Sequence, residues 1–297
     1  MAQGACCMCP AQISIWGDIM MEYLRIEYKR LAKNKLIVAA YVAILFVMVA
    51  DPISVYWHAK NIPDFSSTIG VHPYQYWILI NSAGWGNTIY NSLLWILPML
   101  LTGFTLYDDT SSSVKCFSII RKNRTSYLFS KVVSVSSFSF FFVLSFLLVN
   151  LLVTYLVFPI YAFKTEQFYF YVPNVDSFSY FFYKASPIMM GIAYSLLNAL
   201  AVSLLTVFCV GMHMCFDFPH KYVAAIVPII MIYGCCFLLD SSASLMYINI
   251  RTVIQPLAAA MLIQPITWTK LLLAYGLWMV LDFLLLMFGL KKSGDVF

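Results

Sequence analysis

Residues 107–131 read YDDTSSSVKCFSIIRKNRTSYLFSK, a polar stretch that interrupts an otherwise almost continuously apolar chain. Two acidic residues, Asp108 and Asp109, come first and the cations follow, which is the charge order that a helix dipole favours. We therefore predict a short helix that lies outside the membrane against a partner. The stretch holds five of the 18 basic residues of the chain: Lys115, Arg121, Lys122, Arg124 and Lys131.

The composition of the chain places it in a membrane. Of its 297 residues 62% are hydrophobic and only 10% are charged, and the mean hydropathy is +0.83. Soluble globular domains carry about 25% charged residues. The sequence therefore predicts an all-α integral membrane protein, and its cations are confined to short segments rather than to the basic face that nucleic-acid binding requires.

Six apolar stretches are long enough to cross a bilayer as helices, which takes roughly 20 residues. Pro98 lies inside the second stretch and is expected to kink it. The predicted six-span permease domain covers residues 36–297. Its spans are about 36–57, 88–107, 132–158, 187–214, 222–239 and 269–290.

The residues before the first span divide into two parts. Residues 1–19 form an N-terminal extension without the pattern of a signal peptide. Residues 20–35 have helical periodicity, with an apolar face opposite a cationic stripe, and predict an amphipathic helix in the membrane interface. An ordinary positive flank of the first span is the alternative. One face of this predicted helix contains Tyr23, Leu24, Glu27, Tyr28 and Leu31.

A second irregular region, residues 240–268, precedes the sixth span. It is apolar, but charged, amide and proline residues interrupt it too often for a full crossing. Short re-entrant or interfacial helices fit this pattern, because irregular backbone at membrane depth must be shielded by protein. The interrupting residues are Arg251, Gln255, Pro256, Gln264 and Pro265.

The distribution of cations predicts the orientation. With six spans both termini lie on one side, and if that side is the cytoplasm it receives 13 of the 18 basic residues, residues 107–131 included. The excess of Lys and Arg in cytoplasmic segments then places both termini in the cytoplasm.

Polar residues inside the spans are few. A carboxylate such as Asp282 in hydrocarbon costs ~2.5–3.5 kcal/mol on insertion scales and usually faces the bundle interior, where it could line a pathway or carry protons. A solvated position near the inner interface is the alternative for Asp282. Asn150 and Asn198 are further candidates for a substrate pathway, although hydrogen bonding between helices is the more ordinary role of such amides.

Catalytic and metal-binding patterns are absent from the sequence. It contains no phosphate-binding G-x-x-x-x-G-K-[ST] loop, no H-E-x-x-H zinc pair and no G-x-S-x-G nucleophile elbow. The eight cysteines fit buried thiols better than a disulfide framework, and no histidine completes a metal site with Cys6, Cys7 and Cys9. We expect neither an active site nor a metal or cofactor on this chain.

The arrangement as a whole resembles the type 2 permeases of ATP-binding-cassette exporters, especially Gram-positive peptide-antibiotic export and immunity permeases. The resemblance covers residues 21–297. It rests on residues 22–35 as a connecting helix, the six spans, the polar stretch at residues 107–131 and the interrupted segment before span 6. It implies a bacterial plasma-membrane protein with a cytoplasmic coupling helix that docks on a separate ATPase, which binds ATP and Mg²⁺, and a second permease chain, identical or different. The coupling residues that it implies are Val114, Lys115, Phe117, Ile119, Ile120, Arg121, Lys122 and Arg124.

Three functions remain open at this point. The first is an exporter subunit that moves a peptide antibiotic, lipid or drug by means of a partner ATPase. The second is a membrane immunity or scaffold protein that acts by binding alone, in which case residues 107–131 are only a positively charged loop. The third is an ion-coupled carrier that uses Asp282.

Overall fold

The computed structural model describes residues 10–61, 72–81, 84–103, 105–111, 124–158, 172–242, 244–260, 262 and 264–292, and it describes side chains from residue 21 onwards except at residues 59, 110, 111, 124, 258 and 260. Within these residues every regular element is helical. The α-helices are α1 (Pro10–Lys33), α2 (Lys35–Lys60), α3 (Trp85–Ile89), α4 (Leu97–Thr102), α5 (Thr105–Ser111), α6 (Arg124–Val157), α7 (Phe178–Ala185), α8 (Pro187–Cys215), α9 (Lys221–Asp240), α10 (Ile250–Val253), α11 (Pro256–Ala260) and α12 (Trp268–Lys292).

Six helical segments are long and apolar enough to cross a membrane, as predicted. Spans 1, 3, 4, 5 and 6 are α2, α6, α8, α9 and α12, and span 2 is composed of α3, α4 and α5. Span 4 forms the centre of the bundle, because 72% of its most apolar window is buried, against 22% for span 6. The outer spans leave large apolar side chains such as Phe46 and Phe288 exposed, which suits contact with lipid.

Span 2 is divided further than a single proline kink predicts. A π-helical turn, Tyr90–Leu94, follows α3. Trp95 and Ile96, which have helical dihedral angles, lie between this turn and α4, where Pro98 is the second residue. Gly103 at the end of α4 is also helical, and its N–H bonds to the Met99 carbonyl (2.8 Å). Proline supplies no N–H to the helix, and π-turns frequently mark functional positions. The described part of span 2 therefore departs from a regular α-helix chiefly at its π-turn.

Irregular backbone among the spans is stabilised by buried amide side chains. Asn150 of α6 donates to the Met48 carbonyl (2.9 Å) and accepts from the Ile78 N–H (3.2 Å). Asn198 of α8 donates to the carbonyl of Ile254 (2.8 Å), at the end of α10. Unpaired backbone groups away from water are costly, so these amides allow non-helical segments to lie among the spans.

The residues before span 6 form only short helices within the described ranges. A 3-10 turn, Met246–Ile248, precedes α10 and α11. Each of these elements is at most five residues long, which is too short to cross a bilayer. The proline at the start of α11 and the interruptions by polar residues account for this shortness.

Spans 4 and 6 pack closely, and two glycines of span 6 provide a test of that packing. A Cβ atom on Gly289 would lie 2.4 Å from the Cβ atom of Met214 in α8, whereas a Cβ atom on Gly276 would meet nothing within 4 Å. We expect Gly289→Ala to lower the free energy of unfolding by about 1–3 kcal/mol through overpacking. Gly276→Ala, on the same helix, is expected to be neutral or to stabilise by about 0.5–1 kcal/mol, since alanine favours the helix.

Thermal unfolding in detergent measures both glycine variants under identical conditions. Equal melting temperatures for Gly289→Ala and Gly276→Ala would contradict the packing of span 6 on span 4.

Candidate functional site

A buried cluster of charged side chains joins α1, α5 and α6. The Lys131 ammonium lies between two carboxylates, 2.9 Å from Glu27 Oε2 and 2.7 Å from Asp109 Oδ2. The side chains of Lys131 and Asp109 are fully buried, and that of Glu27 is 9% exposed. Three charges from three helices therefore meet in the protein interior.

Two further side chains complete the charge cluster. Tyr127 of α6 donates its hydroxyl proton to Asp109 Oδ2 (2.6 Å), and Arg30 of α1 donates to Asp109 Oδ1. Burial acts to lower the pKa of the Arg30 guanidinium, but its hydrogen bond to Asp109 and the nearby carboxylates outweigh burial and raise that pKa above its ordinary value. The five residues contain two positive and two negative charges, so the cluster is formally neutral.

The periodicity of α1 explains how Glu27 reaches this position. Among the side chains of α1 that the structure describes, those of Glu27 and Leu31 are the most buried, and those of Arg25 and Lys29 on the other face are exposed. The sequence groups Glu27 and Leu31 on one helical face, and in the structure that face turns towards α6. The face packs along α6, where the Tyr28 hydroxyl bonds to that of Ser137 and the rings of Tyr23 and Tyr127 meet edge to face.

The charge cluster joins the two helices that flank residues 112–123, which we call the basic loop. Asp109 is near the end of the last helical piece of span 2, and Lys131 is two turns inside span 3. Residues 105–111 and 124–131 thus belong to the ends of spans 2 and 3 rather than to one polar loop helix. The fully paired charges explain how they lie inside the protein without exposure to water.

The predicted coupling residues lie between Asp109 and Lys131 in the sequence. Arg124 is the first residue of α6. The other seven, Val114, Lys115, Phe117, Ile119, Ile120, Arg121 and Lys122, lie outside the described residues, so their coupling role stays a prediction.

Two of the three predicted pathway residues are bonded into the fold. Asn150 is fully buried in the contacts described above. Asn198 is fully buried as well, and besides Ile254 it bonds to the hydroxyl of Tyr90 in the π-turn of span 2. Both amides use their bonding capacity within the protein, so the structure gives each of them a role in joining helices.

Asp282, the third pathway residue, differs from these amides. Its side chain is buried, at 5% exposure, and neither carboxylate oxygen has a hydrogen-bond partner among the described residues. It lies on the face of α12 that contacts α8, with Trp278 one turn before it and Cys209 of α8 facing it. Asp282 therefore differs from Asp109, whose two oxygens are both bonded.

Members of the charge cluster are recognisable in the sequence, but their pairing with one another is not. Glu27 appears on one face of the predicted interfacial helix, and Asp109 and Lys131 appear as loop charges. A usable signal was present, because Glu27 lies among apolar residues on that face and Lys131 opens a long apolar run. Charged residues in such places are rarely fully buried unless paired.

Comparisons with protein-family models, with curated proteins and with solved structures gave no match. The class of protein consequently follows from the fold alone. The six apolar helices define the chain as an α-helical multi-pass membrane protein. Within the described residues, no three His, Cys, Asp or Glu side chains converge on a position that could hold a metal ion.

Proposed function

We propose that the chain is the permease subunit of an ATP-driven exporter of the type 2 architecture. It resides in the bacterial plasma membrane with both termini in the cytoplasm and moves a hydrophobic or amphipathic substrate, such as a peptide antibiotic, a lipid or a drug. A separate ATPase subunit binds and hydrolyses ATP, and a second permease chain completes the pathway.

The observation that carries this proposal is the charge cluster at the two ends of the basic loop. Residues 112–123 are flanked by Asp109 and Lys131, which bond to each other and to Glu27 and Arg30 of α1. Any force on the loop therefore acts on spans 2 and 3 and on α1 together. A loop of this kind suits the transmission of motion from an attached protein.

Span 2 adds a second argument for transmitted motion. A π-turn interrupts its α-helical pattern, while span 3 is a continuous α-helix of 34 residues. π-turns occur frequently at functional sites. The loop thus connects one span that contains a π-turn with one uninterrupted α-helical span.

The resemblance to ATP-binding-cassette permeases points to an ATPase as the partner, and the chain itself contains no phosphate-binding loop. We assign the apolar anchors of the contact to Phe117, Ile119 and Ile120. The other contact residues are Val114, Lys115, Arg121, Lys122 and Arg124. Buried apolar anchors surrounded by charges that orient the partner are the usual composition of a stable interface.

The experiment that tests this function is co-expression of the tagged chain with candidate nucleotide-binding subunits from the same genome. We expect one of them to co-purify in detergent and to hydrolyse ATP faster in the complex than alone. Purification of a well-folded chain with none of these subunits bound would favour a membrane protein that acts by binding alone.

A further inference from the structure

Asp282 lies in the middle of the seam between spans 4 and 6. The buried residues of α12 recur on one face: Leu271, Ala274, Trp278, Asp282 and Gly289. Along this seam Trp278 packs edge to face on Phe208, with ring centroids 5.5 Å apart, and the Tyr275 hydroxyl donates to the Leu197 carbonyl (2.6 Å). Asp282 is the one carboxyl group on that face of α12.

The helices approach closely on the C-terminal side of Asp282. A Cβ atom on Gly211 of α8 would lie 2.9 Å from Leu285 Cβ, and the Cys215 thiol donates to the Leu285 carbonyl (3.1 Å). Together with the contact of Gly289 on Met214, these distances leave little space between the two backbones. A solvated carboxylate does not fit such a seam without separation of the helices.

The groups around Asp282 do not compensate a negative charge. The titratable group that faces it from α8 is the Cys209 thiol, which is buried and carries no positive charge. On α12 the nearest cations in sequence are Lys291 and Lys292, about 13–15 Å further along the helix axis at 1.5 Å per residue. α10, which also contacts α12, carries Arg251, but that guanidinium lies over the Tyr233 ring.

The ligand that this environment can accept is a proton. A metal cation needs several oxygen ligands, typically six to eight for Ca²⁺, and among the described residues no second acidic side chain joins Asp282 to form a metal-binding group. An uncompensated carboxylate is the least favourable state of a buried acid, and protonation removes its charge.

We propose that Asp282 is a proton-binding site whose occupancy controls the seam between spans 4 and 6. With the proton bound, α8 and α12 pack as described, and release of the proton requires the seam to open. This inference does not depend on the ATPase partner, because it concerns the packing of two spans within one chain.

The test compares the thermal unfolding of the purified full-length chain with that of Asp282→Asn over a range of pH. Asparagine has nearly the same shape as the protonated acid but cannot lose the proton. We expect the melting temperature of the wild type to fall relative to that of Asp282→Asn as the pH rises, because the carboxyl releases its proton in the unfolded chain at a lower pH than in the seam, whereas asparagine has no such proton to release. Contributions from the charge cluster cancel in the comparison. Parallel curves for the two proteins would overturn the proposal.

A chemical probe on the wild type keeps the proposal testable if Asp282→Asn does not fold. A hydrophobic carbodiimide reacts with a protonated carboxyl: the acid proton moves to a carbodiimide nitrogen and the carboxyl oxygen bonds to the central carbon, with no group lost. Peptide mass spectrometry then measures the label at Asp282 and at the exposed Asp217, which pairs with Lys292. We expect the labelling of Asp282 to persist to a higher pH than that of Asp217, each falling about tenfold per pH unit once its proton is lost. Labelling of Asp282 that does not change with pH, or that falls over the same pH range as that of Asp217, would refute proton binding.

Discussion

Replacement of Lys131 with methionine is expected to lower the free energy of unfolding by about 3–5 kcal/mol. Methionine fills most of the space of the lysine stem but removes the ammonium that lies between Glu27 and Asp109. Both carboxylates then remain buried, and Arg30 is the one cation of the cluster left to compensate their negative charges. Unfolding in detergent, followed by temperature or denaturant, measures the loss.

A second ion pair at the same end of the bundle provides the control. Lys292 Nζ lies 2.7 Å from Asp217 Oδ2, a distance equal to that of the Lys131–Asp109 pair, but its side chain is 46% exposed and that of Asp217 is 93% exposed. Exposed ion pairs contribute about 0–1 kcal/mol, so Lys292→Met is expected to change stability little. If both variants lost the same stability, the charge cluster would not be a buried network.

The combination Phe117→Asp plus Ile120→Asp is expected to weaken binding of the ATPase by about 100-fold or more. The two side chains are the proposed apolar anchors, and interface anchors of this kind typically contribute 2 kcal/mol or more each, with tenfold in affinity per 1.4 kcal/mol. Aspartate also places an unpaired charge in the contact. The amount of ATPase retained by the tagged chain after washing measures the effect.

A matched double substitution separates loss of the contact from the general effect of added charge. Phe216 and Tyr222 are exposed at the end of the bundle that holds the charge cluster, in and beside the turn between spans 4 and 5. Phe216→Asp plus Tyr222→Asp introduces the same two charges there. We expect this variant to retain the ATPase, and the melting temperatures of both variants show whether either change harms the fold.

The number of spans could be predicted because it depends on composition over long windows. Twenty consecutive apolar residues have few stable conformations other than a membrane helix. The helix ends were less predictable: α6 begins at Arg124 and includes Lys131, although the apolar stretch begins only at residue 132. The extension depends on Asp109 and Glu27, which compensate Lys131 from other helices.

The candidate site was predictable only in its separate parts. The 3.6-residue period of residues 20–35 placed Glu27 on the same face as Tyr23, Leu24, Tyr28 and Leu31, and the structure buries Glu27 against α6. Its bond to Lys131 joins residues 104 positions apart, and this pairing follows from the way α1 packs along α6. Helical periodicity predicts which face is buried but not which partner that face meets.

The π-turn of span 2 shows a similar limit. Pro98 predicted one kink, and the π-turn at residues 90–94 has no comparable sequence marker. The turn places Tyr90 against Asn198, and Asn91 in the same turn accepts a hydrogen bond from Gln255 beyond α10 (2.6 Å). These contacts between distant segments stabilise a local conformation that the residues of the turn do not select by themselves.

The central claim, that residues 112–123 couple this chain to an ATPase, is tested most directly by one side-by-side purification. The wild type, Phe117→Asp plus Ile120→Asp, and Phe216→Asp plus Tyr222→Asp are each co-expressed with the ATPase subunit, and retained ATPase and ATP hydrolysis are measured per permease. We expect the wild type and the second double variant to retain an active ATPase and the loop variant to lose it while remaining folded. Retention of the ATPase by the loop variant at the wild-type level would contradict the claim.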